Sequence, residues 1–358
     1  MPATLQQIAD KAGVTRSQVS RVLNGRYKEN RPAIAQRAAN IRQIAEELGY
    51  RPNAAARSTS NGRFGQAAFI TCGDLGFDWF APELLHGIHQ GLDRTGDRLM
   101  VNELSGEELA DENKVPRLFR ESAVDGMLVN IDAKLPRRIV DMFDVQPVPT
   151  VLLNQKRETR AVYPDEYAGG RSAAEYLLAD GRRDIAFLYL QPAERSPHFS
   201  RMDRLRGFQD AMHDAGLPGD RVLAGDPGYH GSLGNGEKIV DAFLASHPKL
   251  DAVVCYSLPE AGSVYLAAAK RGLSVPDDLR VLVFNHQLAH AQTGIPADTM
   301  LVPFEQVGRQ AVDMLSAMGR GESTRRPPAV RVPYQHIYRA DLRETLTIGH
   351  TGGSGVGA

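Results

Sequence analysis

Two arginines and a serine near the N-terminus could contact the edges of DNA bases. Arg16, Ser17 and Arg21 lie in the stretch TRSQVSRVL, where apolar residues recur every three to four positions. Arginine can donate two hydrogen bonds to guanine in the major groove, and each such contact is worth about 1–3 kcal/mol of discrimination. This chemistry requires the three side chains to lie on the exposed face of a helix.

Short polar side chains surround these candidates and are suited to phosphate oxygens. Hydroxyl and amide groups donate hydrogen bonds to the DNA backbone, which fixes a protein's register without specifying base sequence. We assign this positioning role to four residues: Thr4, Thr15, Ser20 and Asn24.

Two short helices and a tight turn must position these side chains. Thr4–Gln7 and Thr15–Gln18 match the capping-box pattern that begins a helix. Gly13 between them can adopt the positive φ of a tight turn. The pattern predicts a helix-turn-helix, followed by a third helix over Pro32–Leu48. A helical hairpin with solvated arginines remains the alternative.

The charge of the chain is unevenly distributed. The formal net charge is −1, yet residues 1–63 hold 11 basic and 4 acidic side chains, a charge of +7, which leaves −8 for the remainder. A small basic segment beside an acidic body is typical of a protein that binds nucleic acid. A chance basic surface is the alternative on charge alone.

Length and composition limit the class of protein. The 358 residues are enough for two or three domains, and 42% hydrophobic with 24% charged residues is ordinary for a globular chain. We find neither a secretory signal nor an apolar run of membrane-spanning length. The two cysteines, Cys72 and Cys255, are far apart. These features predict a cytoplasmic protein with no membrane association.

From Phe64 onward, short apolar runs alternate with segments of helical periodicity. This rhythm predicts βαβ units with parallel sheets, in two lobes whose ligand would bind in the cleft between them. The apolar runs are QAAFITC, RLMVNEL, DGMLVNI, PTVLLN, DIAFLYL, DAVVCYS and LRVLVFN.

The stretches TLQQIADKAGVTRSQVSRVLNG and ELGYRPNAAARS resemble the N-terminus of lactose-repressor (LacI/GalR) family regulators. RLRGF, LSVPDDLRVLVFNH and VRVPYQHIYRAD extend the resemblance through the body. It implies an all-α helix-turn-helix head and an α/β two-lobed body of the type I periplasmic-binding-protein fold. The implied boundaries are a head over 1–49, a hinge over 50–63, a first lobe over 64–163 and 292–326, a second lobe over 164–291 and 327–343, and a flexible tail over 344–358.

The resemblance also implies roles for individual residues. In the family, the positions of Arg16, Ser17 and Arg21 read operator bases. The hinge enters the minor groove, which implicates Asn53, Ala56, Arg57 and Thr59; family members usually carry leucine at this last position. The implied effector-binding residues are Asp74, Trp79, Phe80, Asn154, Arg204, Tyr229, Ser257 and Asn285.

Three of these positions differ from many sugar-responsive members. Asn154 and Asn285 replace aspartates, and Ser257-Leu258 replaces an Asn-Asp pair. Carboxylates accept charge-assisted hydrogen bonds from sugar hydroxyls, so their loss makes the cleft less negative. Two hypotheses follow: an effector with a carboxylate or phosphate or with few hydroxyls, or a neutral sugar held by amides.

We therefore predict an effector-controlled transcription regulator, most simply a repressor. It would bind a pseudo-palindromic operator as a homodimer and take a sugar or sugar derivative in the cleft. A solute-binding protein or a ligand-responsive activator with the same body is the alternative. We find no motif for catalytic residues, a metal or a cofactor, which predicts a non-enzyme.

Overall fold

The computed structural model of the chain forms two compact units, Met1–Gly65 and Gln66–Ala358. The predicted hinge residues fall outside the described part of the chain, as do four predicted effector residues, Asp74, Trp79, Phe80 and Tyr229. The structure describes residues 3–25, 27–28, 30–51, 62–72, 81–111, 116–121, 123–131, 135–190, 198–224 and 232–348.

The first unit contains the predicted helix-turn-helix. Its helices are α1 (Leu5–Ala12), α2 (Arg16–Leu23) and α3 (Pro32–Glu47). Both predicted capping boxes are present, and Gly13 has a φ of 65°, which confirms the predicted turn. The buried core consists of Ile8, Ala9, Val19, Val22, Ala38, Ile41, Ile44 and Ala45.

The second unit contains two sheets, and the first defines what we call the first lobe. Its strands run in the order β11-β5-β4-β3-β1-β2, and all pairings are parallel. Parallel pairing requires covered faces, which agrees with the fully buried β3, β4 and β5. The bounds are β1 (Gln66–Cys72), β2 (Arg98–Leu104), β3 (Gly126–Val129), β4 (Thr150–Leu153), β5 (Ala161–Pro164) and β11 (Val330–Val332).

The second sheet defines the second lobe. Its order is β13-β12-β10-β9-β8-β6-β7, parallel except that β12 runs antiparallel to both of its neighbours. The bounds are β6 (Ile185–Tyr189), β7 (Val222–Ala224), β8 (Ala252–Cys255), β9 (Arg280–Asn285), β10 (Asp298–Leu301), β12 (His336–Arg339) and β13 (Glu344–Thr347).

Helices cover the sheets of both lobes, and two helix pairs approach closely at glycines. A Cβ on Gly87 would lie 2.0 Å from the Glu305 carbonyl oxygen, and one on Gly170 would lie 2.0 Å from that of Arg204. The helices are α4 (Pro82–Asp93), α5 (Gly106–Ala110), α6 (Arg117–Glu121), α7 (Arg137–Val145), α8 (Glu166–Ala179), α9 (Phe199–Asp214), α10 (Leu233–Ser246), α11 (Leu258–Lys270), α12 (Ala289–Thr293) and α13 (Phe304–Gly319).

The strand pairing differs from the predicted lobe boundaries in three places. β10 was expected in the first lobe but pairs with β9, because its buried residues fill the second sheet. β11 was expected in the second lobe but pairs with β5. β13 lies in the predicted tail but forms a hairpin with β12. The chain therefore crosses between the lobes after β5, β10 and β11.

Across the described ranges, no helix is both long enough and apolar enough to cross a membrane.

Candidate functional sites

The predicted base-reading residues share the exposed face of α2. Arg16, Ser17 and Arg21 are exposed, whereas Val19 and Val22 are buried in the head core. At about 100° per residue, the three polar side chains cover roughly 140° of the helix surface, opposite the two valines. The core therefore fixes which face of α2 is presented to a partner, and that face carries two cationic groups.

The predicted phosphate-contacting residues make local hydrogen bonds. The Thr4 and Thr15 hydroxyls accept from the backbone N–H groups of Gln7 and Gln18, at 3.3 and 3.2 Å, so both cap helices. The Asn24 amide donates to Ser20 Oγ at 3.2 Å on the exposed side of α2. Their role toward phosphate stays a prediction.

An ion pair joins α1 to the end of α3. Lys11 Nζ lies 2.8 Å from Glu47 Oε2, and both side chains are about half exposed. Hydrogen bonds from Lys11 and Gln43 lower the pKa of the Glu47 carboxyl. Surface pairs of this kind contribute little stability, so the head depends mainly on its apolar core.

In the second unit, the polar candidates stand where parallel strands end. Asn154 directly follows β4, Ser257 lies two residues after β8, and Asn285 ends β9. The carboxyl ends of strands in open α/β folds form the ligand-binding edge. All three side chains are partly exposed. The predicted cleft residues are thus brought to the edges where a ligand would bind.

Asn154 occupies an unusual backbone position and is connected to the second lobe. Its φ is 52°, and its side-chain oxygen Oδ1 is buried without a hydrogen-bond partner among the described residues. Its backbone carbonyl accepts from His198 Nε2 at 2.9 Å. The other His198 nitrogen lies 2.7 Å from Ser200 Oγ, which is 2.7 Å from the Tyr256 hydroxyl. His198, the N-cap of α9, therefore links the end of β4 to the second lobe.

The donor groups of Ser257 and Asn285 are already used within the protein. The Ser257 hydroxyl donates to Glu260, a buried carboxylate that also accepts from the Leu190 N–H at 2.9 Å. Burial raises the pKa of Glu260, and both hydrogen bonds oppose that rise. The Asn285 amide donates to the Gln287 carbonyl at 2.8 Å and to Gln292 Oε1 at 2.7 Å.

Arg204 lies inside the second lobe. Its guanidinium binds Glu166 through two contacts of 2.5 and 3.1 Å, and it also donates to the Tyr256 carbonyl and the Tyr334 hydroxyl. Burial lowers the pKa of Arg204, but the Glu166 carboxylate more than reverses this effect and the net pKa is raised. The ring of Phe284 lies 4.3 Å from the guanidinium carbon.

The hydrogen bonds of Arg204 indicate a structural role for this side chain. All three guanidinium nitrogens donate to protein groups, and the side chain is 4% exposed. The predicted direct contact with an effector stays a prediction; the bonds favour a role in holding Tyr256 and the crossing segment around Tyr334. Sequence reasoning missed Glu166, although its position at the first turn of α8, two residues after a lobe crossing, was a usable signal.

Comparison with known proteins agrees with both units. Residues 4–53 match the model of bacterial regulatory proteins of the lacI family, and residues 174–340 match a periplasmic-binding-protein-like domain. The transcriptional regulator GntR of Pseudomonas aeruginosa is 27% identical over 328 residues, which cover 90% of this chain and 91% of GntR.

Two solved structures share the fold. A lac repressor dimer bound to operator and the anti-inducer ONPF has a TM-score of 0.71 at 22% identity, covering 93% of this chain and 97% of that one. A CelR–cellobiose complex has a TM-score of 0.61 at 24% identity, with coverages of 94% and 98%. The chain therefore combines a head of the lacI family of bacterial regulatory proteins with a periplasmic-binding-protein-like body.

Proposed function

We propose that the chain is an effector-controlled transcriptional repressor that binds a pseudo-palindromic operator as a homodimer in the cytoplasm. The observation that carries this proposal is the exposed face of α2, where Arg16, Ser17 and Arg21 stand opposite the core valines. Helix-turn-helix proteins place this face in the major groove. The relatives compared above are transcriptional regulators, and no enzymatic activity is proposed.

Dimeric binding follows from the nature of such sites. A single head of three short helices covers one half-site, and two-fold operators are read by two-fold proteins. The similar lac repressor structure contains a dimer bound to operator. In this proposal Thr4, Thr15, Ser20 and Asn24 contact phosphates, and the hinge residues Asn53, Ala56, Arg57 and Thr59 enter the minor groove.

The body would bind a sugar or sugar derivative between its lobes. Asn154, Ser257 and Asn285 lie at strand ends, where α/β folds bind ligands. The similar CelR structure contains cellobiose. Effector binding would shift the population of two body conformations and thereby alter operator affinity, by a coupling of typically about 1–3 kcal/mol.

Selection from random duplex DNA tests the DNA-binding part of the proposal. The purified chain should enrich a pseudo-palindrome with two half-sites. Arg16→Ala should then lose preference at one base pair of each half-site, whereas Arg37→Ala, an exposed arginine on α3, should leave the consensus unchanged. Failure to enrich any sequence, or an identical consensus from Arg16→Ala, would contradict the proposal.

A further inference from the structure

A chain of hydrogen bonds runs from Asn285 in the cleft to Glu83 on the first lobe. Asn285 Nδ2 donates to Gln292 Oε1 at 2.7 Å, and Gln292 Nε2 donates to Gln287 Oε1 at 2.8 Å. Gln287 Nε2 donates in turn to Glu83 Oε1 at 2.9 Å. Glu83 lies in the first turn of α4, whereas the three amides belong to the second lobe. We call this chain the amide relay.

The direction of the amide relay is fixed by its carboxylate end. An ionised carboxylate only accepts hydrogen bonds, whereas an amide donates from its nitrogen and accepts at its oxygen. Gln287 must therefore turn its nitrogen to Glu83 and its oxygen to Gln292, which orients Gln292 in the same sense. The second amide hydrogen of Asn285 goes to the Gln287 backbone carbonyl, which also only accepts. Asn285 is thus left with its oxygen as the available group.

One further cleft residue shows the same polarity, whereas Asn154 does not contribute because its Oδ1, unpartnered within the described part of the chain, is buried. The hydroxyl proton of Ser257 is directed to Glu260, which leaves the lone pairs of Ser257 Oγ to accept. Arg204, which would favour an anion, is neutralised by Glu166. The strand ends of the second lobe at Ser257 and Asn285 therefore present uncharged acceptors.

We propose that Glu83, acting through the amide relay, is a positioning residue that makes Asn285 an acceptor, so that the cleft selects a neutral, hydroxyl-rich effector. This inference rests on the effector role proposed above. A carboxylate placed against Asn285 would meet oxygen with oxygen, and neither side would supply a proton. Polar groups that leave water without gaining a hydrogen-bond partner raise the free energy of binding.

Among the described residues, Arg201 is a cation that points to the opposite class of effector. Its guanidinium lies 4.0 Å from the centre of the Tyr189 ring, and its Nε is buried without an acceptor among the described residues. An anionic effector would therefore be expected to depend on Arg201. Binding of acidic sugars that is lost in Arg201→Gln would contradict the inference.

Moving the carboxylate from one end of the amide relay to the other tests the inference. Glu83→Gln removes the fixed end, and Gln292→Glu alone places acceptors on both sides of Gln287. Each single variant should lower the unfolding temperature of the full chain by about 2 °C. The double variant Glu83→Gln/Gln292→Glu reverses Gln287 and again gives Asn285 an acceptor partner, so it should recover most of that loss.

A matched control separates the amide relay from the neighbouring contact between Glu83 and His286. Glu83 Oε2 lies 2.9 Å from His286 Nδ1, although the two groups are not aligned as a hydrogen bond. His286→Gln removes this contact and leaves the amide relay intact. Adding Gln292→Glu to His286→Gln should not restore the unfolding temperature, whereas adding it to Glu83→Gln should. If the double variant is no more stable than the two single losses predict together, the amide relay does not fix polarity.

Calorimetric titration tests the effector class. D-glucose, D-galactose and cellobiose would be compared with their aldonic acids on the wild-type chain and the three variants. A neutral member should bind, weaken about two- to tenfold in Glu83→Gln, and recover in the double variant, whereas Gln292→Glu alone keeps an acceptor beside Asn285 and should bind like the wild type. Binding of an acid instead, dependent on Arg201, overturns the inference but not the repressor function. Binding of no member contradicts the proposed sugar effector, and the unfolding cycle then still decides whether the amide relay exists.

Discussion

Removing one charge of the buried Glu166–Arg204 pair should destabilise the body severely. The two contacts of 2.5 and 3.1 Å lie between side chains that are 1% and 4% exposed. Glu166→Met leaves a buried guanidinium without its counter-charge and also removes the acceptor of the Tyr334 hydroxyl, which lies 2.7 Å away. Breaking a buried pair at one partner costs about 3–5 kcal/mol.

The size of the effect can be compared with two matched variants. For a unit of this size the single loss corresponds to a fall in Tm of about 6–12 °C. Glu166→Met/Arg204→Met removes both charges and should recover much of that fall, since apolar replacement of a whole buried pair is often nearly neutral. Asp313→Ala, which cuts the exposed Arg94–Asp313 pair, should cost less than about 1 kcal/mol.

Differential scanning calorimetry of the full chain provides the assay, with the transition of the body as readout. The reasoning is refuted if Glu166→Met costs no more than Asp313→Ala. It is also refuted if the double variant is less stable than the single one, because the pair would then act through packing and not through charge.

Three other changes test separate parts of the structure. Arg16→Ala should lower the preference for operator over random DNA by about 1–3 kcal/mol without weakening random binding, measured by fluorescence anisotropy; an equal loss on both would contradict base reading. Gly170→Ala should prevent α8 from packing, because its Cβ would lie 2.0 Å from a carbonyl oxygen, whereas Gly234→Ala, with open space around it, should leave the Tm unchanged in thermal scans. A hydrogen bond from Arg339 holds the pKa of Asp341 below its ordinary 3.8. The ionised Asp341 therefore stabilises the fold above pH 3.8, and this stabilisation is lost as the pH falls further. Asp341→Asn should reduce the dependence of the free energy of unfolding on pH below 3.8. An unchanged pH dependence would exclude a contribution from Asp341.

The head was predictable because its signals are local. Each capping box spans four residues, and the positive φ of Gly13 follows from the turn that two adjacent helices require. The exposed face of α2 then follows from helical periodicity alone. Nothing distant in the chain is needed to place Arg16 and Arg21 on that face.

The body was predictable in its rhythm but not in its connections. The predicted alternation of strands and helices is present in both lobes. The lobe to which β10 or β11 belongs depends on the strand with which it pairs. An apolar run alone does not specify that partner. Parallel pairing between remote segments therefore set the boundaries that the sequence pattern misplaced.

Single side chains of the second lobe could likewise be predicted only in part. Arg204 was identified by its motif, but its partner Glu166 is 38 residues away and Tyr334 is 130 residues away. The polarity of Asn285 depends on Glu83, 202 positions earlier in the chain, through contacts that no spacing reveals. Residue type can be read from sequence, whereas the direction of a hydrogen bond follows from the folded neighbours.

The central claim is that one molecule couples a bound effector to operator affinity. The most direct measurement is the dissociation constant for the selected operator, determined with and without a sugar that calorimetry shows to bind, with random duplex DNA as the control. We expect the sugar to change the dissociation constant for the operator by about 5- to 150-fold and that for random DNA by much less. A sugar that saturates the cleft and leaves operator affinity unchanged would contradict it.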